Sequence, residues 1–160
     1  MSTGFDRGAH EIRSCAASVV ALVRRLLIAN AALAALLAGH VADHLLRQPA
    51  DEQLGLVASL PGLLGTVAAF VALALVARGM KNAAQFAGLV GLATALGFVA
   101  VHLAPRWSMF SDPYADRYLD AGSWIEMLAG LGCGLLVAVE ALRVCRATAA
   151  LPPAPPRPAG

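Results

Sequence analysis

Residues 54–77 form an uninterrupted apolar run without a single charged side chain. The hydrocarbon core of a bilayer is about 30 Å thick, and about 20 mainly apolar helical residues are needed to cross it. Three further stretches reach that length, at 26–46, 83–104 and 122–142. Each is too long for a core helix of a small soluble domain. The sequence therefore predicts an all-α, polytopic membrane protein built as a bundle of four transmembrane helices.

The composition supports this class and argues against two others. Hydrophobic residues make up 59 % of the chain and charged residues 14 %, whereas soluble domains carry about 45–50 % apolar and about 25 % charged residues. Disorder requires the opposite balance, with few apolar and many charged residues. A net charge of +2, without a basic cluster that has interleaved aromatics, does not suggest nucleic acid. We therefore expect the lipid bilayer to be the partner of this chain.

Three regions follow from the position of the charges and prolines. Arg24 and Arg25 are adjacent, and two arginines at the centre of a bilayer would be costly. Residues 1–25 are therefore expected to be a cytoplasmic segment, with an amphipathic lead-in that extends the first helix. Residues 26–146 form the transmembrane domain, whose first span is expected to be retained because it exceeds the usual signal-peptide length of about 7–15 apolar residues. The proline-rich stretch 147–160 is expected to be a disordered cytoplasmic tail.

The orientation follows from the positive residues near the helix ends. With four spans, one side of the membrane receives nine basic residues and the other side three. The side with nine is predicted to be the cytoplasm, so both termini lie there. The bias towards arginine, alanine, leucine, glycine and valine indicates a high-GC bacterial genome, and the predicted location is the bacterial plasma membrane. The nine residues are Arg7, Arg13, Arg24, Arg25, Arg78, Lys81, Arg143, Arg146 and Arg157, and the three are Arg47, Arg106 and Arg117.

Ionisable residues from three spans fall at a similar depth near the outer face. Charged or titratable groups are expensive inside a membrane and are functional candidates for that reason. They have three interpretations: a divalent metal site, a proton or ion relay, or helix ends that pair with each other. A haem held by two histidines close to the outer leaflet is a further alternative. The residues concerned are His40, Asp43 and His44 on the first span, His102 on the third and Glu126 on the fourth.

Small residues and aromatics complete the prediction. Gly130 and Gly134 match the small-xxx-small pattern, which allows close helix packing within the bundle or in a homo-oligomer. The aromatic residues around the outer connection are expected to anchor it at the headgroups, with a short interfacial helix over 113–119. The three cysteines, at positions 15, 133 and 145, have no metal-binding spacing and are expected to be free thiols.

The segment 102–114, HLAPRWSMFSDPY, resembles a stretch found in uncharacterised small four-span integral membrane proteins of high-GC Gram-positive bacteria. The resemblance implies a four-helix membrane fold and no particular activity.

No nucleotide-binding or hydrolase signature is present in the sequence. The leading hypothesis is therefore an integral, non-enzymatic membrane protein that acts through helix–helix or lipid contacts. The alternatives are a metal-binding or ion and proton transport component that uses the His/Asp/Glu cluster, and a membrane redox subunit with haem or quinone.

Overall fold

The computed structural model describes residues 3–47, 56–106, 108, 110, 113 and 121–151, and their side chains in 15–43, 60–106, 108, 110, 113 and 121–151. Helix α1 spans Thr3–Arg47, α2 spans Leu56–Ala77, α3 spans Ala83–Phe98 and α4 spans Ala121–Ala149. A π-helical turn, Val99–Leu103, continues α3. The described residues form no strand. The prediction of an all-α bundle of four helices is confirmed.

All four helices contain a segment long and apolar enough to cross a membrane. These segments are Cys15–Asp43, Leu60–Ala77, Ala83–Leu103 and Ala121–Ala149. Helix α1 continues without a break through Arg24 and Arg25, and both arginines are exposed. The apolar segment Cys15–Asp43 includes both arginines, and α1 extends beyond this segment at each end.

The helices are arranged as a square in which chain neighbours are also neighbours in space. Helix α3 packs most extensively on α4, α1 packs on α4 and α2, and α2 packs on α3. The two helices at the diagonal, α1 and α3, make few contacts. The short connection between α2 and α3 favours an antiparallel arrangement of these two helices.

The core is formed by one stripe of each helix, and the remaining faces are apolar as well. Leu26 and Leu33 of α1 and Met127 and Val137 of α4 are fully buried. Many large apolar side chains point outwards instead, because a helix that is hydrophobic on all sides suits a lipid surrounding. These exposed residues include Leu64, Val67, Leu89, Leu96, Ile125 and Leu128.

A tight turn joins α2 to α3. The N–H of Gly79 donates to the carbonyl of Val76, and the N–H of Met80 donates to the carbonyl of Leu75. This nested pair is a Schellman motif, and it requires a left-handed residue, which Gly79 supplies with φ of 61°. The turn brings the start of α3 directly back beside the end of α2.

The antiparallel arrangement gathers most of the described arginines and the lysine at one end of the bundle, which we call the basic end, while Arg47 and Arg106 lie at the opposite end. The opposite end carries His40, Asp43, His102 and Glu126, and we call it the cluster end. This separation is the pattern on which the positive-inside rule operates. The assignment of the basic end to the cytoplasm stays a prediction. The exposed residues at that end are Arg24, Arg25, Arg78, Lys81, Arg143 and Arg146.

Candidate functional site

Three titratable side chains from three different parts of the fold meet at the cluster end. Nδ1 of His40 on α1 lies 3.7 Å from Oε1 of Glu126 on α4. The ring of His40 also meets the ring of His102 edge to face, with centroids 5.4 Å apart and an interplanar angle of 85°. His40 is thus the central member, in contact with both of the others. We call His40, His102 and Glu126 the His–Glu cluster.

The π-helical turn at the end of α3 carries His102. The N–H of Ala104 donates to the carbonyl of Val99, five residues earlier, at 2.9 Å. Ala104 then leaves the helix with extended backbone angles, φ of −74° and ψ of 151°. The following Pro105 explains this exit, because a proline disfavours the helical conformation of the residue before it. Wide helical turns of this kind are frequent at functional sites in proteins.

Phe98 forms the apolar floor of the cluster. Its ring centroid lies 5.2 Å from that of His40 and 5.8 Å from that of His102. Gly130 on α4 makes room for this ring, because a Cβ at that position would lie only 2.6 Å from Cε2 of Phe98. The absence of a side chain at Gly130 therefore allows Phe98 to fill the space beneath the two histidines.

Exposure increases across the cluster. The side chain of His40 is 11 % exposed and that of Glu126 is 27 % exposed, while His102 as a whole residue is 5 % exposed. The carboxylate is therefore the member that reaches towards the surroundings, and the two imidazoles lie behind it.

Two of the five predicted site residues, Asp43 and His44, are not among the three whose contacts are given above. Asp43 lies three residues after His40 on α1 and is partly buried. The side chain of His44 lies outside the described residues. The structure thus brings together His40, His102 and Glu126, each from a separate segment of the chain, and places Asp43 within about one helical turn of them along α1.

The geometry bears on the two cofactor hypotheses. Among the described side chains, no group of three or more His, Cys, Asp and Glu residues is placed to hold a metal ion. A haem with two axial histidines would lie between the imidazoles, with one ring on each face of the macrocycle. The rings of His40 and His102 are instead in direct contact. The metal site therefore stays a prediction, and the arrangement described here does not favour a haem between these two rings.

Gly130 and Gly134, the pair predicted to allow close packing, both contact α3 of the same chain. Gly130 faces Phe98, and a Cβ at Gly134 would lie 2.7 Å from the carbonyl oxygen of Gly91. The two glycines are buried in this intramolecular interface. Association with a second copy stays a prediction, and these two positions are already occupied by packing inside the bundle.

The residues predicted for the site do not include Phe98, Asn30 or Glu140. Phe98 precedes His102 by four residues, the spacing that places two side chains on one helix face. This spacing could have indicated that Phe98 lies next to His102. Asn30 is a lone amide in an apolar segment and is fully buried, and Glu140 is a buried carboxylate near the basic end. Only the packed structure shows that both are enclosed.

The aromatic connection before α4 is only partly described. Pro113 is buried, whereas residues 114–119 of the expected interfacial helix lie outside the described residues. The tail is expected over 147–160, but α4 continues to Ala149, and residues 152–160 lie outside the described residues. Comparisons of this chain with models of protein families, with curated proteins and with solved structures gave no match.

Proposed function

We propose that this chain is a small multi-pass membrane protein that takes part in proton transport, with the His–Glu cluster as the site that accepts and passes on protons. The observation that carries the proposal is the contact of His40 with both Glu126 and His102 inside an apolar bundle. Three helical segments contribute one titratable group each. A bundle that needed only packing would not require them at this depth, because ionisable groups in a membrane are costly.

The chemistry of the three groups suits proton exchange near neutral pH. Histidine is the side chain whose unperturbed pKa lies closest to neutrality, and its two ring nitrogens can accept a proton on one side and release it on the other. Glu126 reaches the surroundings and lies next to His40. A proton transfer needs a heavy-atom distance of about 2.6–3.2 Å, so a small side-chain rotation would close the 3.7 Å between Nδ1 and Oε1.

The order of exposure suggests a direction for uptake. Glu126 accepts a proton from the medium at the cluster end, His40 receives it, and His102 lies next to His40. With the predicted orientation, this medium is the outside of the cell. The proposal does not require a metal ion or a prosthetic group.

The test is proton flux into liposomes that contain the purified protein and an internal pH-sensitive dye, with the membrane potential clamped. After an external acid jump, the wild-type protein should acidify the interior faster than protein-free liposomes. Glu126→Gln keeps the shape of the side chain and removes its charge, so it should slow the acidification to the protein-free rate.

Thr66→Val is the matched control, because its hydroxyl donates to the Gly62 carbonyl of its own helix α2, which contributes no residue to the His–Glu cluster. It should behave like the wild type, and all variants should keep the same helical circular dichroism. A wild-type rate equal to that of protein-free liposomes would refute the proposal. A Glu126→Gln variant with full flux would refute it as well.

A further inference from the structure

A second polar feature lies in the core of the bundle, away from the His–Glu cluster. Asn30 on α1 is fully buried, and Glu140 on α4 is 5 % exposed. Oδ1 and Nδ2 of Asn30 and Oε2 of Glu140 have no hydrogen-bond partner among the described residues. The other carboxylate oxygen of Glu140, Oε1, accepts a hydrogen bond from Nη1 of Arg143.

The helix register places these two residues within about one helical turn of each other in depth. The contact of His40 with Glu126 fixes α1 against α4, and the two helices are antiparallel. Asn30 precedes His40 by ten residues and Glu140 follows Glu126 by fourteen, which corresponds to about 15 Å and about 21 Å along the helices at about 1.5 Å per residue. Both therefore lie on the basic side of the cluster, roughly one helical turn apart in depth.

The burial of these atoms needs a physical explanation. Buried polar atoms in proteins are hydrogen-bonded in the great majority of cases, to protein groups or to ordered water. The side-chain amide of Asn30 and one carboxylate oxygen of Glu140 would lose their hydration in an apolar bundle without gaining hydrogen bonds in exchange. Something that enters this level of the bundle has to supply their hydrogen bonds.

The donors and acceptors at this level select the ligand. Nδ2 of Asn30 can only donate, whereas Oδ1 of Asn30 and Oε2 of Glu140 can accept. An anion would satisfy the amide nitrogen and repel the carboxylate, and a metal cation would satisfy the oxygens and leave the amide nitrogen unbonded. Water donates and accepts, and three polar atoms match the two to four partners that a buried water usually has.

We infer that Asn30 and Glu140 form an internal water site between the helices in the basic half of the bundle. The site does not depend on the proposed proton transport, since its occupancy is a property of the resting protein. It gives the bundle a second polar level between the His–Glu cluster and the arginines of the basic end. If protons cross this protein, the water site lies between the His–Glu cluster, which takes the protons up, and the basic end.

The sequence offers a direct test, because Asn30 and Asn82 are its only asparagines. Protein labelled with ¹⁵N at the asparagine side chains gives two amide signals in solid-state NMR of bilayer samples, and Asn30→Leu identifies which is which. Asn82 lies exposed in the turn before α3 and serves as the internal reference. Lipids with deuterated acyl chains prevent transfer of magnetisation from lipid protons to the asparagine amides.

In a water-edited spectrum, the Asn30 amide should receive magnetisation from water, as the Asn82 amide does. Glu140→Gln should retain this transfer, because a glutamine still offers polar atoms, while Glu140→Leu should reduce it without a change at Asn82. A wild-type Asn30 amide that receives no transfer, beside an Asn82 amide that does, would overturn the inference. Unchanged transfer in Glu140→Leu would overturn the assignment of Glu140 to the site. Proton flux is not part of this measurement, so it succeeds or fails separately from the proposed function.

Discussion

Gly91 on α3 and Gly134 on α4 touch through their backbones. A Cβ on Gly91 would lie 2.6 Å from the carbonyl oxygen of Gly134, and a Cβ on Gly134 would lie 2.7 Å from the carbonyl oxygen of Gly91. Each residue thus occupies the space that a side chain on the other would need. In a lipid surrounding, such close backbone approach is a main source of helix–helix attraction, so this pair holds α3, and with it Phe98 and His102, against α4.

Alanine at either of these glycines should destabilise the bundle. Gly91→Ala and Gly134→Ala each force a methyl group against backbone, which should cost about 1–3 kcal/mol of unfolding free energy. The measurement is unfolding in mixed detergent micelles, followed by circular dichroism.

Two other glycines provide matched controls on the same helices. A Cβ at Gly97 or at Gly132 would meet nothing within 4 Å. Alanine there removes the conformational entropy cost of glycine in a helix and should be neutral or stabilising by up to about 1 kcal/mol. If all four variants lost the same stability, the close contact of α3 and α4 described here would be wrong.

The register of α3 on α4 can be tested by cross-linking. A Cβ built on Gly88 lies 3.0 Å from the Cβ of Ala141, slightly closer than the roughly 3.5–4.5 Å of a disulfide. In a background without Cys15, Cys133 and Cys145, the pair Gly88→Cys and Ala141→Cys should therefore form a disulfide rapidly on mild oxidation.

The control for this experiment moves one cysteine by a single position. Leu142 follows Ala141 and is exposed on the outside of the bundle, so Gly88→Cys with Leu142→Cys should remain reduced under the same conditions. The readout is the gel mobility of the chain after cleavage between the two helices. Equal oxidation of both pairs would contradict the described register.

Membrane orientation can be read from single cysteines in the same background. Lys81 lies in the exposed turn at the basic end, and Ala121 is exposed at the start of α4 at the cluster end. An impermeant maleimide should label Lys81→Cys only from the cytoplasmic side of vesicles and Ala121→Cys only from the opposite side, because the basic end is expected to stay in the cytoplasm. Labelling of both positions from one side would contradict the four-span topology, and the reverse pattern would contradict the orientation.

The existence of the four helices could be predicted because apolar length is a direct requirement for crossing a bilayer. Each predicted span overlaps one observed helix, and the span at 83–104 corresponds to α3 with its π-helical turn. Helix α1 begins at Thr3, well before the predicted start of its span at 26, because the arginines at 24 and 25 do not stop a helix. No proline occurs between Thr3 and Arg47 to end it.

The composition of the site was only partly predictable. Depth along the membrane follows from counting residues, and this placed His40, His102 and Glu126 at one level. The rotation of each helix about its axis cannot be obtained by counting residues. Helix α3, for example, is apolar on nearly every side, so its sequence pattern does not show which face is buried. Gly130, opposite Phe98, and Gly134, opposite Gly91, determine which face of α3 is buried. The π-helical turn then changes the direction in which His102 points.

For Asn30, a sequence pattern gives even less information. A single amide in an apolar segment can face lipid headgroups, a neighbouring helix or the core, and neighbouring residues do not distinguish these cases. Only the packing of Leu26 and Leu33 on the same stripe of α1 shows that it is fully enclosed.

The central claim is that His40 and Glu126 meet inside the bundle, and a dipolar recoupling experiment in bilayers measures this directly. Protein with ¹⁵N-labelled histidine rings and ¹³C-labelled glutamate carboxyls should show dephasing between the two, because Nδ1 and Oε1 lie 3.7 Å apart. The dephasing should fall in Glu126→Gln and in His40→Gln and stay at the wild-type level in Glu140→Gln, since the neighbouring pair His10 and Glu11 is labelled in every sample. Absence of dephasing in the wild type, or equal dephasing in the wild type and Glu126→Gln, would contradict the His–Glu cluster.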